Sequence, residues 1–341
     1  MQGIVFLGDR RLELSSFPDP TPGPGEVVLA IKASGLCGSD LHHYRRPATP
    51  GIAPLIAGHE PSGVVVAVGA GVTGPHARVG QRAMVHHYHG CTDCEHCRSG
   101  WPQMCRTEKV KVYGNNDHGA HAPFMKVSAD TLVPLDDRLS FAAGAAISCG
   151  TGTAWGALER LGLSGRDSIA IFGQGPVGLS ATLLAKAQGA RVIALDIDGT
   201  RLAAAKAFGA DAVVNPRDGR AAETIRELTG GKGVTMALET AGVAVAGQDA
   251  MRCVRPWGKV CLVGIGSEAT VSVAGFLSTQ ITVMTSWTMS IQGQRACADF
   301  VVERGLDLDA LFTDRWTIDQ AAQAYQLFDR QSSGKGVFLF P

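Results

Sequence analysis

Four cysteines fall within fifteen residues, spaced Cys91-x2-Cys94-x2-Cys97-x7-Cys105. Thiolates spaced this closely on one loop can turn inward and close a tetrahedral shell, as a structural zinc requires. With sulfur at all four positions no place remains for water, so such a metal serves stability alone. An iron–sulfur cluster is the rival, because its ligands begin with the same C-x2-C-x2-C spacing. Its bacterial pattern closes after three residues, however, where this chain has seven. A second pattern, Gly173-Gln-Gly175-Pro176-Val177-Gly178, follows an apolar run and opens a helical one. Gly173 permits a tight turn, Gly175 lets backbone approach a pyrophosphate, and Gly178 lets helix and strand pack closely. The helix N-terminus, with Pro176 at its favoured first position, then offers amides and partial positive charge to phosphate. Asp196 ends the next apolar run, where an acid accepts hydrogen bonds from adenosine ribose hydroxyls. Asp198 lies close by and no arginine directly follows Asp196, which favours NAD over NADP, although Arg201 could fold back and tolerate a 2′-phosphate. Two upstream segments gather further donors: Gly35-Leu-Cys37-Gly-Ser39-Asp40-Leu-His42 and Gly58-His59-Glu60-Pro-Ser-Gly63. Singly, such a cysteine is usually a small buried hydrophobe and such a histidine a solvated one.

The elements that must position these groups come in two styles. Residues 1 to about 148 read as β-rich, with β-branched runs such as 26–32 and 63–68 bounded by Pro and Gly clusters. From about 150, apolar runs alternate with alanine-rich helical segments. Strands are expected at 168–172, 191–195, 212–214, 235–238 and 259–263, with helices near 176–188, 199–208 and 219–229 between them. Repeated strand–helix–strand units imply a parallel sheet covered on both faces. The tail predicts helices at about 291–304 and 317–329 and a closing strand at 336–340.

Composition narrows the function classes. The 341 residues suit about two domains, and 45% apolar residues supply their cores. Thirty-one basic against 31 acidic side chains leave no net charge to attract nucleic acid or an anionic membrane surface. No apolar run approaches the ~20 residues that span a bilayer, and the N-terminus lacks a secretory pattern, so a cytoplasmic location is expected. In a reducing compartment the cysteine cluster reads as metal ligands rather than disulfides.

Taken in order, these motifs resemble the zinc-containing alcohol dehydrogenases of the medium-chain dehydrogenase/reductase family, over essentially the whole chain. The resemblance implies an α/β fold: a GroES-like β-rich catalytic domain (1–149 with 290–341) and a doubly wound Rossmann NAD-binding domain (150–289). It implies two zincs per chain, one structural on the four cysteines and one catalytic on Cys37, His59 and Cys149, the last within Ile147-Ser-Cys149-Gly-Thr-Gly-Thr153. Glu60 would act as a transient ligand and Asp40 would orient His59. Ser39 would take the substrate proton and pass it through cofactor ribose to His42, beside which His43 could share the task. Thr153 and Val177 match positions lining the nicotinamide. The implied reaction is reversible hydride transfer from an alcohol to NAD. The Cys-Gly-Ser-Asp-Leu-His form resembles polyol, secondary-alcohol and threonine branches, whereas Cys149 as third ligand is the pattern of simple alcohol dehydrogenases. His86-His87-Tyr88-His89 falls where the family walls its substrate pocket, favouring a secondary or polar alcohol, with solvated loop histidines as the plain alternative. Trp287 and Met289 could line the opposite wall or an interface, the strand at 281–287 resembling the edge that pairs between subunits. Homotetramers, or alternatively homodimers, are implied. A zinc-free reductase of the same superfamily and a catalytically idle, zinc-stabilised nucleotide-binding protein are the competing readings.

Overall fold

Strands Ser168–Phe172, Arg191–Leu195 and Val234–Glu239 are buried along almost their whole length instead of alternating. Both faces of the sheet they form must therefore be covered, which is the condition of a parallel sheet flanked by helices. In the computed structural model they are the centre of a six-stranded parallel sheet. Its order is Ala212–Val214, Arg191–Leu195, Ser168–Phe172, Val234–Glu239, Val254–Leu262, Thr282–Thr285. Renumbered from its first strand that order is 3-2-1-4-5-6, the doubly wound dinucleotide-binding arrangement. All residues are described except Pro50, Ile52, Pro75 and 331–333. The chain divides into two units, Met1–Gly152 with Met289–Pro341, and Thr153–Thr288.

The β-rich unit is organised around strand Glu26–Gly35, which pairs antiparallel with Pro61–Val68, Phe124–Ser128 and Lys335–Leu339. Register here does the assembling. Ser34 faces Pro61, so the chain just beyond one strand (Cys37) and just before the other (His59) arrive at the same sheet end. Val337 faces Gly35, and the Leu36 amide donates to the Gly336 carbonyl at 2.9 Å, which brings Lys335 to that end as well. Gly63, opposite Ile31, lies so close to the neighbouring strand that any Cβ would strike the Ala30 carbonyl.

Two helices, Phe141–Ser148 and Gly150–Leu161, stand where the sequence reading had only a change of texture. Every residue from 142 to 148 is buried, so the first has no polar stripe and no helical period to betray it. The border between units falls at 152/153, inside the second helix, rather than at 149/150. Helix Ala244–Cys253 likewise stands where the sequence pattern predicts no element. The expected 317–329 helix begins as a 3₁₀ turn, Ile318–Gln320, under a Thr317–Gln320 capping box, before α-helix Ala321–Asp329.

In the parallel unit, Gly173 takes φ +88° directly after its strand. Gly175 is the extended N-cap of helix Pro176–Ala187. A Cβ on Gly178 would collide with the Gly173 carbonyl and lie 3.0 Å from Thr240 Oγ1, whereas one on Gly175 would meet no protein atom within 4 Å. Gly178→Ala should therefore cost about 2 kcal/mol in urea denaturation. Gly175→Ala should cost less than about 1 kcal/mol, the scale of a helix cap, and express itself in weakened NADH binding, read by the cofactor's fluorescence.

Candidate active site

Cys37, His59, Glu60 and Cys149 each offer one ligand atom, and the four atoms lie within 4.8 Å of one another. The two sulfurs are 3.9 Å apart. Sulfurs bound at ~2.3 Å in a tetrahedron stand about 3.8 Å apart, so the spacing fits one shared ion, while a disulfide needs ~2.05 Å. Cys149 reaches the site from the C-cap of helix Phe141–Ser148, whose last turn is docked by Ser148 Oγ donating to the Pro61 carbonyl at 2.8 Å.

Around these atoms lies an ordered set of polar partners. His59 Nδ1 is 2.9 Å from Asp40 Oδ1, which leaves Nε2 as the nitrogen that could ligate a metal. Asp40 Oδ2 accepts from the Cys37 amide at 2.9 Å and from the Tyr325 hydroxyl at 3.3 Å. Burial would raise Asp40, yet His59 pulls its carboxyl down to about 2. Burial would likewise depress His59, but Asp40 and Cys37 raise it well above the usual imidazole range. Ser39 Oγ donates to Cys37 Sγ at 3.3 Å and lies 3.2 Å from His59 Nε2. Both contacts go to atoms a metal would take, so a bound ion frees this hydroxyl for substrate. His42, one turn along helix Asp40–Arg45, is exposed, and His43 beside it is half-buried.

Lys335 was not singled out from the sequence. It is 2% exposed and ion-pairs with Glu60, itself fully buried, while its ammonium also reaches the Leu36 carbonyl at 3.3 Å. Burial pushes Glu60 up against the opposing pull of Lys335. A lysine entering a closing strand looks in sequence like any solvated strand end, and only the register with Gly35 buries it. His86 and His87 are buried, contrary to the plain reading of solvated loop histidines. His89 is half-buried, 3.5 Å from Asp130. His87 lies 5.1 Å ring to ring from His59, and its Nδ1 faces the Ser148 carbonyl at 3.1 Å. That carbonyl only accepts, so Nδ1 carries the proton and Nε2 is left as an acceptor.

The second cluster is Cys91, Cys94, Cys97 and Cys105, again with ligand atoms within 4.8 Å. The Cys91–Cys97 and Cys94–Cys105 sulfur pairs are each 3.9 Å apart. Such a shell suits a single ion, since a multi-iron cluster would hold its sulfurs wider apart. The Cys94 amide donates to Cys91 Sγ at 3.3 Å, and the Cys91 amide to Cys105 Sγ at 3.5 Å. Backbone amides pull the Cys105 thiol down to about 6. Gly90 is required where it stands, because a Cβ there would lie 2.7 Å from Cys97 Sγ.

In the parallel unit, Asp196 Oδ2 accepts from the Gln174 amide at 2.7 Å and Oδ1 from the Asp198 amide at 2.9 Å. The acid thus braces the glycine turn from the neighbouring strand end. Arg201 Nη1 folds back to 3.9 Å from Asp196 Oδ2. Val177 is half-buried on the first turn of its helix, and Thr153 is buried.

Comparison with known proteins agrees with this geometry. Residues 23–137 match the family described as alcohol dehydrogenase GroES-like domain, and residues 176–303 match zinc-binding dehydrogenase. A zinc-type alcohol dehydrogenase-like protein of Escherichia coli is 35% identical, with 100% of this chain and 99% of that protein covered. Sorbitol dehydrogenase of Bacillus subtilis is 32% identical, covering 96% and 93%. The crystal structure of an alcohol dehydrogenase from E. coli CFT073, complexed with NADH, superposes with a TM-score of 0.89 at 26% identity, covering 100% and 99%. Both halves of the chain carry their family's pattern in order, and its relatives match it end to end; the chain belongs to the zinc-containing alcohol dehydrogenases of the medium-chain dehydrogenase/reductase family, enzymes that work with zinc and NAD.

Proposed function

We propose that the chain oxidises a secondary or polar alcohol reversibly to its carbonyl, with the catalytic zinc on Cys37, His59 and Cys149 and the structural zinc on Cys91, Cys94, Cys97 and Cys105. The observation that carries the reading is the convergence of Cys37, His59 and Cys149 ligand atoms beside the Asp40–His59 pair. Three protein ligands with one position open are the donor set of a catalytic zinc, and Cys2His is the set such zinc takes in alcohol dehydrogenases. Zinc there supplies Lewis-acid acidification of an alcohol hydroxyl, and the nicotinamide supplies the hydride acceptor. Ser39 accepts the hydroxyl proton as it gives up its own, and exposed His42, three residues on, delivers that proton to solvent. Glu60 stands by as a further ligand, held by Lys335. Gly173, Gly175 and Pro176 form the turn that receives the pyrophosphate, Gly178 lets helix and strand close behind it, Asp196 accepts from the ribose, and Thr153 and Val177 border the nicotinamide. Arg201, paired with Asp196, is the residue through which a 2′-phosphate would be tolerated.

The polar substrate is supported by His87. A buried neutral imidazole with an acceptor nitrogen beside the metal ligands accepts from a second hydroxyl on the substrate, a contact a simple alkanol lacks. A polyol or threonine-type substrate is therefore the second reading, which Cys149 in place of a carboxylate argues against.

A cytoplasmic location accords with there being, among the described residues, no helix long and apolar enough to cross a membrane. Self-association is supported by the sheet edge Thr282–Thr285 together with exposed apolar side chains on the segment that leads into it, Val271, Val273 and Leu277, and on its paired strand, Trp257 (75% exposed). An edge strand beside such a patch is covered economically by a second copy across a two-fold axis, giving dimers that can pair into tetramers.

Three outcomes are expected. Purified protein should reduce NAD with diols or secondary alcohols faster than with ethanol, and lose this turnover to a zinc chelator; failure with every alcohol in protein holding two zincs would remove this substrate class. Metal analysis should find one zinc fewer in both Cys37→Ser and Cys94→Ser, with activity abolished in the first and thermal stability lowered chiefly in the second. Val273→Asp with Leu277→Asp should reduce the mass seen by light scattering, and a parent already monomeric would refute the interface.

A further inference from the structure

The C-terminal helix Ala321–Asp329 sends two side chains, four residues apart and so on one face, to the short helix that carries Asp40. Tyr325 is fully buried, with its ring against Phe6 at 4.9 Å and Tyr44 at 5.4 Å. Its hydroxyl donates to Asp40 Oδ2 at 3.3 Å and lies 2.8 Å from His121 Nε2. His121 Nδ1 in turn lies 2.7 Å from Ser34 Oγ. Only one set of proton positions satisfies the whole chain. Since Tyr325 gives its proton to the carboxylate, His121 Nε2–H must donate to the phenol oxygen. His121 Nδ1 must then accept from Ser34, and His59 Nδ1–H donates to the other carboxylate oxygen. Every donor points toward Asp40, an arrangement in which successive hydrogen bonds reinforce one another.

The second attachment is at the far end of both helices. Asp329 Oδ1 accepts from Arg45 Nε at 2.5 Å, its backbone carbonyl from Arg45 Nη2 at 2.9 Å, and Oδ2 from Arg10 Nε at 2.9 Å. Arg45 closes the helix that Asp40 opens. The Arg10 amide also donates to the Tyr44 carbonyl at 2.8 Å, so the turn between strands Gln2–Gly8 and Arg11–Ser16 is bound to the helix on this side too.

We propose that Tyr325 and Asp329 are positioning residues for the metal centre: gripping helix Asp40–Arg45 at both ends, they fix Asp40 and thereby which nitrogen of His59, at what angle, faces the ion. This rests on the zinc reading of Cys37, His59 and Cys149. Neither residue touches substrate or metal. Their effect reaches the site through Asp40, whose two carboxylate oxygens are shared among His59, the Cys37 amide and Tyr325. The last helix of the β-rich unit is thereby tied to the metal site.

The test is metal release from protein carrying Co2+ in the Cys37–His59–Cys149 site and Zn2+ in the four-cysteine site. Tyr325→Phe keeps the ring and removes only the hydroxyl. It should release cobalt to a chelator ten-fold or more faster than the parent, the scale seen when an outer partner of a metal-bound histidine is lost. The visible cobalt band should shift, while zinc on the four cysteines leaves at the parent rate. Asp329→Asn should act in the same direction by a few-fold, and Asp329→Glu, which keeps the charge, should restore the parent rate. Unchanged release and an unchanged cobalt band in Tyr325→Phe would overturn the proposal, as would equal acceleration at both metal sites, which marks general loosening. A parent that binds metal only on the four cysteines would instead overturn the zinc reading itself, and this inference with it.

Discussion

The pairing of His59 with Asp40 is the constraint around which the β-rich unit is organised. An imidazole offers a metal only one nitrogen at a time, and the other must be told to keep its proton. Asp40 does so from 2.9 Å. A carboxylate buried this deeply is costly unless every lone pair finds a donor. The Cys37 amide and the Tyr325 hydroxyl meet that demand. The demand reaches outward through His121 to Ser34, so a requirement set by one nitrogen dictates polar residues on the first long strand, a mid-chain loop and the C-terminal helix. The buried Lys335–Glu60 pair follows the same logic, the lysine balancing a carboxylate placed among thiols.

Backbone register, more than any side chain, gathers the candidate ligands. Antiparallel pairing of Glu26–Gly35 with Pro61–Val68 places Cys37 and His59 at one sheet end, and pairing with the closing strand adds Lys335. A slip of one residue would turn every side chain to the other face and scatter the set. The parallel unit relies on a different device. There the strand end, the positive-φ Gly173 and the N-terminus of helix Pro176–Ala187 form the turn, and Asp196 from the adjacent strand ties its amides down. The glycines divide the work. Gly178 answers to the protein's own packing, and Gly175 faces open space that a phosphate can use.

Legibility in the sequence followed locality. The four-cysteine lobe and the glycine turn are each encoded within fifteen residues or fewer, so spacing alone carries their geometry. The strands of the parallel sheet were readable because complete burial makes them unbroken apolar runs. Helix Phe141–Ser148 was not, and for the same reason, since a helix buried on every side shows no period. Cys149 was found through family resemblance, as nothing in its flanking Ser and Gly distinguishes it from Cys253 or Cys261, both buried thiols elsewhere.

Local patterns in the chain carry the two-style architecture, the four-cysteine lobe and the glycine turn, because in each of these the spacing is the chemistry, while Cys37, Ser39, Asp40, His59 and Glu60 took their roles from family resemblance. The tertiary structure alone decided that Lys335 is buried against Glu60, that His87 is an acceptor beside the ligands, and that Tyr325 and His121 support Asp40. These partners are separated by up to 285 residues, and a polar side chain's role depends on what burial and register bring against it, which no neighbour in sequence records.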